Sequence, residues 1–141
     1  MSLWKGPSFR SHSHFPLCIV CGKENPIGFK LDFRQEGETV KAEFTPGEFH
    51  QGWPEIVHGG VLGLLLDEAT VYVPRFFGLN CVTAKTEVRF RQPVLVGQKL
   101  LISARMTRQN RKLVEAVGHI TLEDGTPVAE GKALMYIVEE A

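Results

Sequence analysis

Two adjacent carboxylates lie in the middle of a predicted helix that is otherwise largely apolar and is therefore expected to be buried almost all round. The helix is predicted over residues 58–73, and the carboxylates belong to Asp67 and Glu68. Burying an ionised carboxylate is unfavourable unless the group is paired or its pKa rises. A carboxylate kept in such a helix could serve as a general base or as a nucleophile, which makes this helix the first candidate for chemistry.

Glycines line one side of the same helix. At about 100° per residue, Asp67 falls in the same sector as the glycines, whereas Glu68 falls on the apolar side. Each glycine destabilises a helix by about 1 kcal/mol relative to alanine, so several together indicate that another helix or a ligand approaches the backbone closely. The sector contains Gly59, Gly60, Gly63, Asp67 and Thr70.

The first turn of this helix offers backbone N–H groups that have no intrahelical acceptor. Those of Gly59 and Gly60, at the positive end of the helix dipole, suit the oxyanion that forms when a carbonyl is attacked. Gly59 and Asp67 are eight residues apart, or about 12 Å along one helix, whereas reacting atoms approach to about 3–3.5 Å. Two antiparallel copies of the helix would bring Gly59 of one subunit near Asp67 of the other. The chemistry therefore predicts a homodimer, and a tetramer built from dimers stays open.

Strand patterns surround the helix in the sequence. Alternation of apolar and polar residues predicts two strands before the helix, and Pro74 disfavours continuation of the helix itself. Four more strands follow, with a hairpin turn at Asp124-Gly125. The six predicted strands cover residues 29–33, 40–44, 82–90, 100–106, 113–122 and 129–138. This order is typical of an α+β fold in which an antiparallel sheet curls around one central helix.

Composition and charge limit the possible partners. The 141 residues fit one domain, predicted over residues 17–141 behind an irregular arm at residues 1–16. Lys+Arg and Asp+Glu both number 16, so no net field favours nucleic acid or an acidic membrane. No uninterrupted apolar run could span a membrane, no signal-peptide pattern is found, and three cysteines do not make a disulfide framework. We therefore expect a cytoplasmic protein without nucleic-acid or membrane partners.

Several short motifs accompany the helix. An acid, Asp67, follows His58 by nine residues, and the chain also carries a Cys-x-x-Cys-Gly segment and a basic, β-like segment at residues 82–93. Together with the element order, these motifs resemble the hotdog-fold acyl-CoA thioesterases, in particular their phenylacetate-pathway-like branch. The resemblance covers roughly residues 17–139. Its motifs are Cys18-x-x-Cys21-Gly22, Asn25-Pro26-x-Gly28, Gln51-Gly52-Trp53-Pro54, His58-Gly59-Gly60 and Ala129-Glu130-Gly131.

The resemblance assigns roles to residues in and near the helix. It implies that Asp67 is the catalytic carboxylate, that the Gly59 N–H binds the thioester oxygen, and that Thr83 helps to position water or Asp67 from the same subunit. Some relatives place an asparagine six residues before the histidine, where this chain has Gly52. Gln51 is the candidate for the missing polar group. The resemblance also implies an acyl-CoA substrate and neither a metal nor a redox cofactor.

Other residues are candidates for catalysis or for binding the substrate. His58 could act as a base, although a histidine that orients the entry to the helix is the favoured interpretation. Gly60 and Trp53 are candidates for contacts with the substrate. Arg89 and Arg91 could contact CoA phosphates, since guanidinium groups bind phosphate well. Charged strand residues more often form a solvated face, and Trp53 could instead pack in the core.

A second group of side chains has the chemistry of metal ligands. His12, His14, Cys18 and Cys21 lie within ten residues, and zinc sites use histidine and cysteine. Both histidines fall in the predicted arm, and the Cys-x-x-Cys segment lacks the βαβ context of a redox motif. Buried thiols are therefore the favoured interpretation, and no metal is predicted.

The predicted function is hydrolysis of an acyl-CoA thioester to the free acid and CoA, with Asp67 as base or nucleophile and the Gly59 N–H as oxyanion donor across a dimer interface. An alternative is a non-catalytic acyl-CoA-binding module in which the acid only closes the dimer. A hotdog hydratase or dehydratase is disfavoured, because the helix has no acid with a histidine nearby for paired proton transfer. The acyl group stays open.

Overall fold

One helix lies across an antiparallel sheet. The computed structural model describes residues 15–140, so most of the predicted arm at residues 1–16 lies outside the described residues. No helix in this range is long and apolar enough to cross a membrane. The extent of the single domain, residues 17–141, stays a prediction.

The elements follow the predicted order of two strands, one helix and four strands. The helix, α1, spans Gly59–Phe76 and is preceded by a 3₁₀ turn at Glu48–His50. The sheet has the strand order β1-β2-β4-β5-β6-β3, and every neighbouring pair is antiparallel. The strands are β1 (Arg34–Glu36), β2 (Thr39–Phe44), β3 (Leu79–Phe90), β4 (Leu100–Gln109), β5 (Leu113–Leu122) and β6 (Pro127–Glu140). The α+β prediction is confirmed, as is the turn at Gly125, whose φ of 89° requires glycine.

The core lies between α1 and the sheet. Leu65, Ala69 and Val73 of α1 are fully buried, and the helix contacts β2 to β6. Two glycines, Gly118 of β5 and Gly131 of β6, pair across the sheet directly beneath Leu66. A Cβ added at Gly118 would lie 3.1 Å from Leu66 Cδ2. These paired glycines therefore let the helix approach the sheet closely.

The predicted strand at residues 29–33 is wrong. Leu31 is buried as the alternation requires, but the backbone there is irregular and β1 begins only at Arg34. Lys30 has a φ of 57°, in the left-handed region that a strand excludes. The N–H groups of Phe29 and Leu31 donate instead to the carbonyls of Ile19 and Val20. This segment therefore packs against the N-terminal turn rather than against a strand.

Two expectations for the helix also need correction. First, α1 continues past Pro74 to Phe76, because a proline in the last turn removes only one helical hydrogen bond; Gly78, with a φ of 85°, then ends the turn. Second, α1 was expected to be buried almost all round, but in the single chain only the sheet-facing side is fully covered. Residues on the opposite side, including Gly63, Leu64 and Asp67, are half-buried.

Candidate active site

Asp67 and Thr83 meet on one side of α1. Thr83, in β3, donates a hydrogen bond from Oγ1 to Asp67 Oδ1 over 3.1 Å. The pairing of β3 with β6 shifts register directly after Thr83, which marks a β-bulge. Bulges re-aim side chains and often lie beside active sites. Among residues 15–140, Thr83 is the only hydrogen-bond donor to this half-buried carboxylate, so its second oxygen remains available to a water molecule.

The start of α1 leaves one backbone donor free. His58 is the N-cap: its Nδ1 accepts the Gly60 N–H over 2.7 Å, and its carbonyl accepts the N–H of Val61. The Gly59 N–H, in contrast, has no acceptor within the described part of the chain. Gly59, rather than Gly60, is therefore the donor that an oxyanion could use. Because Nδ1 accepts a hydrogen bond, the ring nitrogen that carries a proton is Nε2, and His58 serves the helix as a cap.

The Asp67 carboxylate and the Gly59 donor lie two turns apart on one helix, with Gly63 between them. Apart from the nearby backbone of α1 itself, a Cβ added at Gly63 would meet no atom of residues 15–140 within 4 Å, so the backbone here borders open space. A helix rises about 1.5 Å per residue, which keeps the two groups about 12 Å apart. One chain therefore does not bring Asp67 and Gly59 together.

Phe90 lies beside the start of α1 and is the chain neighbour of the two candidate arginines. A Cβ added at Gly59 would lie 3.4 Å from the Phe90 ring, and Phe90 stands between Arg89 and Arg91 in the chain. Arg89 is exposed, whereas Arg91 forms an ion pair with Glu130 over 2.6 Å that lowers the pKa of the Glu130 carboxyl. Such an exposed ion pair is screened by solvent and contributes little, so a phosphate could displace Glu130 from Arg91.

The loop before α1 contains Gln51 and Trp53. The Gln51 amide nitrogen donates to the Glu48 carbonyl, and its amide oxygen accepts the Glu55 N–H, so both polar ends of Gln51 are used within its own loop. Trp53 is 78% exposed, which rules out the alternative that it packs in the core.

A cavity of about 810 Å³ opens beside this loop and the start of α1. Its wall is largely apolar and includes Leu64, one of the half-buried residues of α1, together with His58 and Gly60. The remaining lining residues are Ile19, Pro26, Ile27, Gly28, Phe29, Gly47, Phe49, His50, Gln51 and Val61. The cavity is large enough for an apolar group that reaches the helix start.

Glu68 faces a different neighbourhood from Asp67. The Cys18 thiol donates a hydrogen bond to Glu68 Oε2 over 2.9 Å, across 50 residues of sequence. Burial raises the pKa of the neighbouring Cys21 thiol and, on the same side of the helix, of the Tyr72 hydroxyl. His12 and His14 lie outside the described residues. Sequence reasoning missed this pairing, because no local pattern joins a turn at residue 18 to a helix at residue 68.

Solved structures of similar fold include proteins with CoA ligands. A hypothetical thioesterase from Streptococcus pneumoniae TIGR4, crystallised with coenzyme A, has 19% identity and a TM-score of 0.74 over 78% of this chain and 87% of its own. A protein from Streptococcus mutans UA159, bound to acetyl-CoA, has 20% identity and a TM-score of 0.74 over 78% of this chain and 90% of its own. The PaaI protein of the phenylacetic acid degradation operon of Escherichia coli has 19% identity and a TM-score of 0.75 over 80% and 83% of the two chains. No curated protein sequence matches.

The Streptococcus pneumoniae protein has also been crystallised as two alanine mutants. One replaces an aspartate and the other a threonine, and the numbers of the two positions differ by 16. In this chain Asp67 and Thr83 are likewise 16 positions apart.

A family model assigns the chain to a protein family, which structures of such low sequence identity do not do. Residues 55–129 match the model of the thioesterase superfamily, which is more than half of the 141 residues. The matched region contains α1 with Gly59 and Asp67, and all of β3 with Thr83. The chain therefore belongs to the thioesterase superfamily, with the hotdog fold, and is a thioester hydrolase.

Proposed function

We propose that the protein hydrolyses acyl-CoA thioesters at a site shared between two copies of the chain. The observation that carries the proposal is the pair of groups on α1: a carboxylate hydrogen-bonded by Thr83 and, two turns away, an unused N–H at Gly59. The carboxylate can take a proton from the attacking water, and the N–H can bind the oxyanion that forms on the thioester carbonyl. Their separation along the helix means that one group must come from a second chain.

Asp67 acts as the general base in this proposal. It removes a proton from a water molecule whose oxygen bonds to the thioester carbonyl carbon, and the Gly59 N–H of the other subunit holds the resulting oxyanion. The carbon–sulfur bond then breaks and the proton passes to the CoA sulfur, so water and acyl-CoA become free acid and CoA. Thr83 orients the carboxylate through its hydrogen bond to Oδ1.

Two features favour the packing of a second copy of the chain against the side formed by β3 and Gly63 of α1. Strand β3 is 12 residues long and lies at the end of the sheet, and residues 84–87 in its middle are exposed. Within residues 15–140 it pairs only with β6. A long unpaired edge is a ready site for strand addition. Gly63 borders open space on the neighbouring side of α1, where a second helix could approach the backbone closely.

The substrate class rests on three supports. Structures of the same fold hold coenzyme A and acetyl-CoA. Arg89 and Arg91 flank Phe90, whose ring lies beside Gly59, so the exposed Arg89, and Arg91 once a phosphate displaces Glu130, are the candidates to bind CoA phosphates near the helix N-terminus. The 16-residue spacing of Asp67 and Thr83 equals that of the two residues mutated in the Streptococcus pneumoniae protein.

The acyl group occupies the apolar cavity beside Leu64 in this proposal. Leu64→Trp would fill part of the 810 Å³ without removing a polar group. We expect it to raise KM for long acyl chains more than for acetyl-CoA. Equal effects on both substrates would place the acyl group elsewhere.

The proposal is tested by thiol release from a panel of aliphatic and aromatic acyl-CoAs. Asp67→Ala should lower kcat by about 10²–10⁴-fold, the contribution of a positioned general base. Asp32→Ala is the matched control, because Asp32 is a highly exposed surface aspartate that forms an ion pair with Lys23. Circular dichroism and sedimentation would check that each variant folds and assembles. Turnover of Asp67→Ala at the wild-type rate would overturn the mechanism, and saturable binding of the panel by wild type without hydrolysis would favour the binding module.

A further inference from the structure

Three potential metal ligands converge on the other side of α1. The sulfur atoms of Cys18 and Cys21 and a carboxylate oxygen of Glu68 all lie within 4.8 Å of one another. Two of them are in direct contact, since Cys18 Sγ and Glu68 Oε2 are 2.9 Å apart. All three residues are half-buried. The cluster takes no part in the proposed hydrolysis.

The turn that holds the two cysteines is tightly built. The Gly22 N–H donates to the Cys18 carbonyl over 2.9 Å, and the Cys21 N–H donates to Cys18 Sγ over 3.4 Å. A Cβ added at Gly22 would lie 2.4 Å from the Pro16 carbonyl oxygen, so only glycine fits there. The turn therefore holds two sulfurs next to a carboxylate from a distant element.

We propose that Cys18, Cys21 and Glu68 bind a zinc ion. Zinc is borderline-soft and takes thiolate and carboxylate ligands at about 2.3 Å and 2.0–2.2 Å, so neighbouring donors of a tetrahedral site lie about 3.5–3.8 Å apart. Cys18 Sγ and Glu68 Oε2 are closer than this, at 2.9 Å, and every pair of donors lies within 4.8 Å, so side-chain rotations could bring the three donors to the tetrahedral spacing. The ion replaces the Cys18–Glu68 hydrogen bond, the two thiol protons pass to solvent, and water fills the fourth position.

The charge around the cluster suits a divalent ion. Two thiolates and one carboxylate carry three negative charges, and zinc reduces the total to one. The three ligand residues line a cavity of about 450 Å³. Arg75 lines this cavity too and supplies a positive charge there. Its guanidinium lies over the rings of Phe15 and Tyr72, at 4.6 and 4.9 Å, so it is held on this side of the helix. The occupied site fastens the N-terminal turn to α1 at the residue next to Asp67.

The experiment measures metal directly on the reduced, untagged protein. Wild type is loaded with Zn²⁺, dialysed and analysed for metal, and a second sample is titrated with Co²⁺, whose tetrahedral and thiolate absorption bands report the ligand set. We expect one ion per chain in wild type, no retained ion in Cys21→Ser, and a large loss of affinity in Glu68→Gln. Cys81→Ala is the matched control, because it removes a buried thiol that lines the same cavity but lies outside the cluster. It should retain the ion.

Several outcomes would overturn the proposal. Absence of stoichiometric zinc and of the cobalt bands in wild type would remove the site, and this result depends on no variant. Unchanged binding in Cys21→Ser or Glu68→Gln, or lost binding in folded Cys81→Ala, would overturn the ligand set. A Cys18–Cys21 disulfide in protein isolated with its thiols blocked would assign the pair to redox chemistry instead.

A chelator should lower the melting temperature of wild type but not of Cys21→Ser.

Discussion

Asp67 and Glu68 are adjacent residues on the same helix, yet they face two different parts of the molecule. Asp67 is hydrogen-bonded by Thr83 from the edge strand β3, beside the half-buried Gly63. Glu68 accepts a hydrogen bond from Cys18 in the N-terminal turn. Successive residues on a helix point about 100° apart, so one helix presents two neighbouring acids to two environments. We propose that the β3 side reacts together with a second copy of the chain and that the Cys18 side fastens the N-terminal turn to α1 within one chain.

After Asp67→Ala, the largest effect that separates the two sides of α1 is the loss of kcat expected on substitution of Gly59. Gly59 is the first residue of α1, where proline is tolerated, and His58 already has the extended backbone that precedes proline, with ψ at 133°. Gly59→Pro removes the N–H donor and should lower kcat by about 10²–10³-fold, the loss measured for one oxyanion-hole donor. Steady-state thiol release checks this. Gly59→Ala keeps the N–H and places its Cβ in ordinary contact with Phe90. Equal losses of kcat in Gly59→Pro and Gly59→Ala would argue against the Gly59 N–H as the oxyanion donor.

Gly63 tests whether a second helix packs on the β3 side. In one chain the space around Gly63 is open, so Gly63→Ala alone should stabilise the helix by about 1 kcal/mol. If a second helix approaches there, the added methyl group overpacks the interface by about 1–3 kcal/mol and weakens the dimer about tenfold or more. Sedimentation across a dilution series measures this. A dimer of unchanged affinity and raised stability would contradict the antiparallel helix pair.

On the opposite side, Gly22→Ala should affect stability rather than chemistry. The added Cβ would collide with backbone atoms of Pro16 and Cys18, so the turn must shift at a cost of about 1–3 kcal/mol. Gly47→Ala is the control, because its nearest neighbour would be 4.0 Å away. Urea unfolding of both variants compares them. A Gly22→Ala protein as stable as wild type would show that the turn contributes nothing to the fold.

Thr83 should give the smallest effect. Thr83→Val keeps the shape of the side chain and removes the hydrogen bond to Asp67, which contributes about 0.5–1.5 kcal/mol. We expect kcat to fall about 2- to 13-fold, with KM little changed, and Thr83→Ser to recover most of the loss because it retains the hydroxyl. Failure of Thr83→Ser to recover activity would indicate that the threonine methyl group matters more than the hydrogen bond.

The sequence predicted those strands, turns and site residues that depend on local patterns of residue types. The strand at Leu113–Leu122 and the turn at Gly125 were predicted correctly, because alternation and turn chemistry are local. The same alternation failed at residues 29–33, where the positive φ of Lys30 follows from packing against the N-terminal turn. Asp67 was selected through its helical spacing from the glycines.

The rest of the candidate site depends on tertiary contacts. The β-bulge after Thr83 comes from the pairing of β3 with β6, and no residue type near Thr83 marks it in the sequence. The distinction between Gly59 and Gly60 arises from the direction of the His58 side chain. The contact between Cys18 and Glu68 spans 50 residues and exists only once the N-terminal turn lies on α1.

The central claim is that Asp67 and Gly59 act together from different chains, and a mixed dimer tests it most directly. Asp67→Ala and Gly59→Pro subunits, each inactive alone, are co-expressed or refolded together. A mixed dimer then contains one site with both groups intact and one with neither, so random pairing should restore about one quarter of the wild-type rate. A mixture in which mixed dimers form but remain as inactive as either variant would show that each site lies within one chain and would contradict the account.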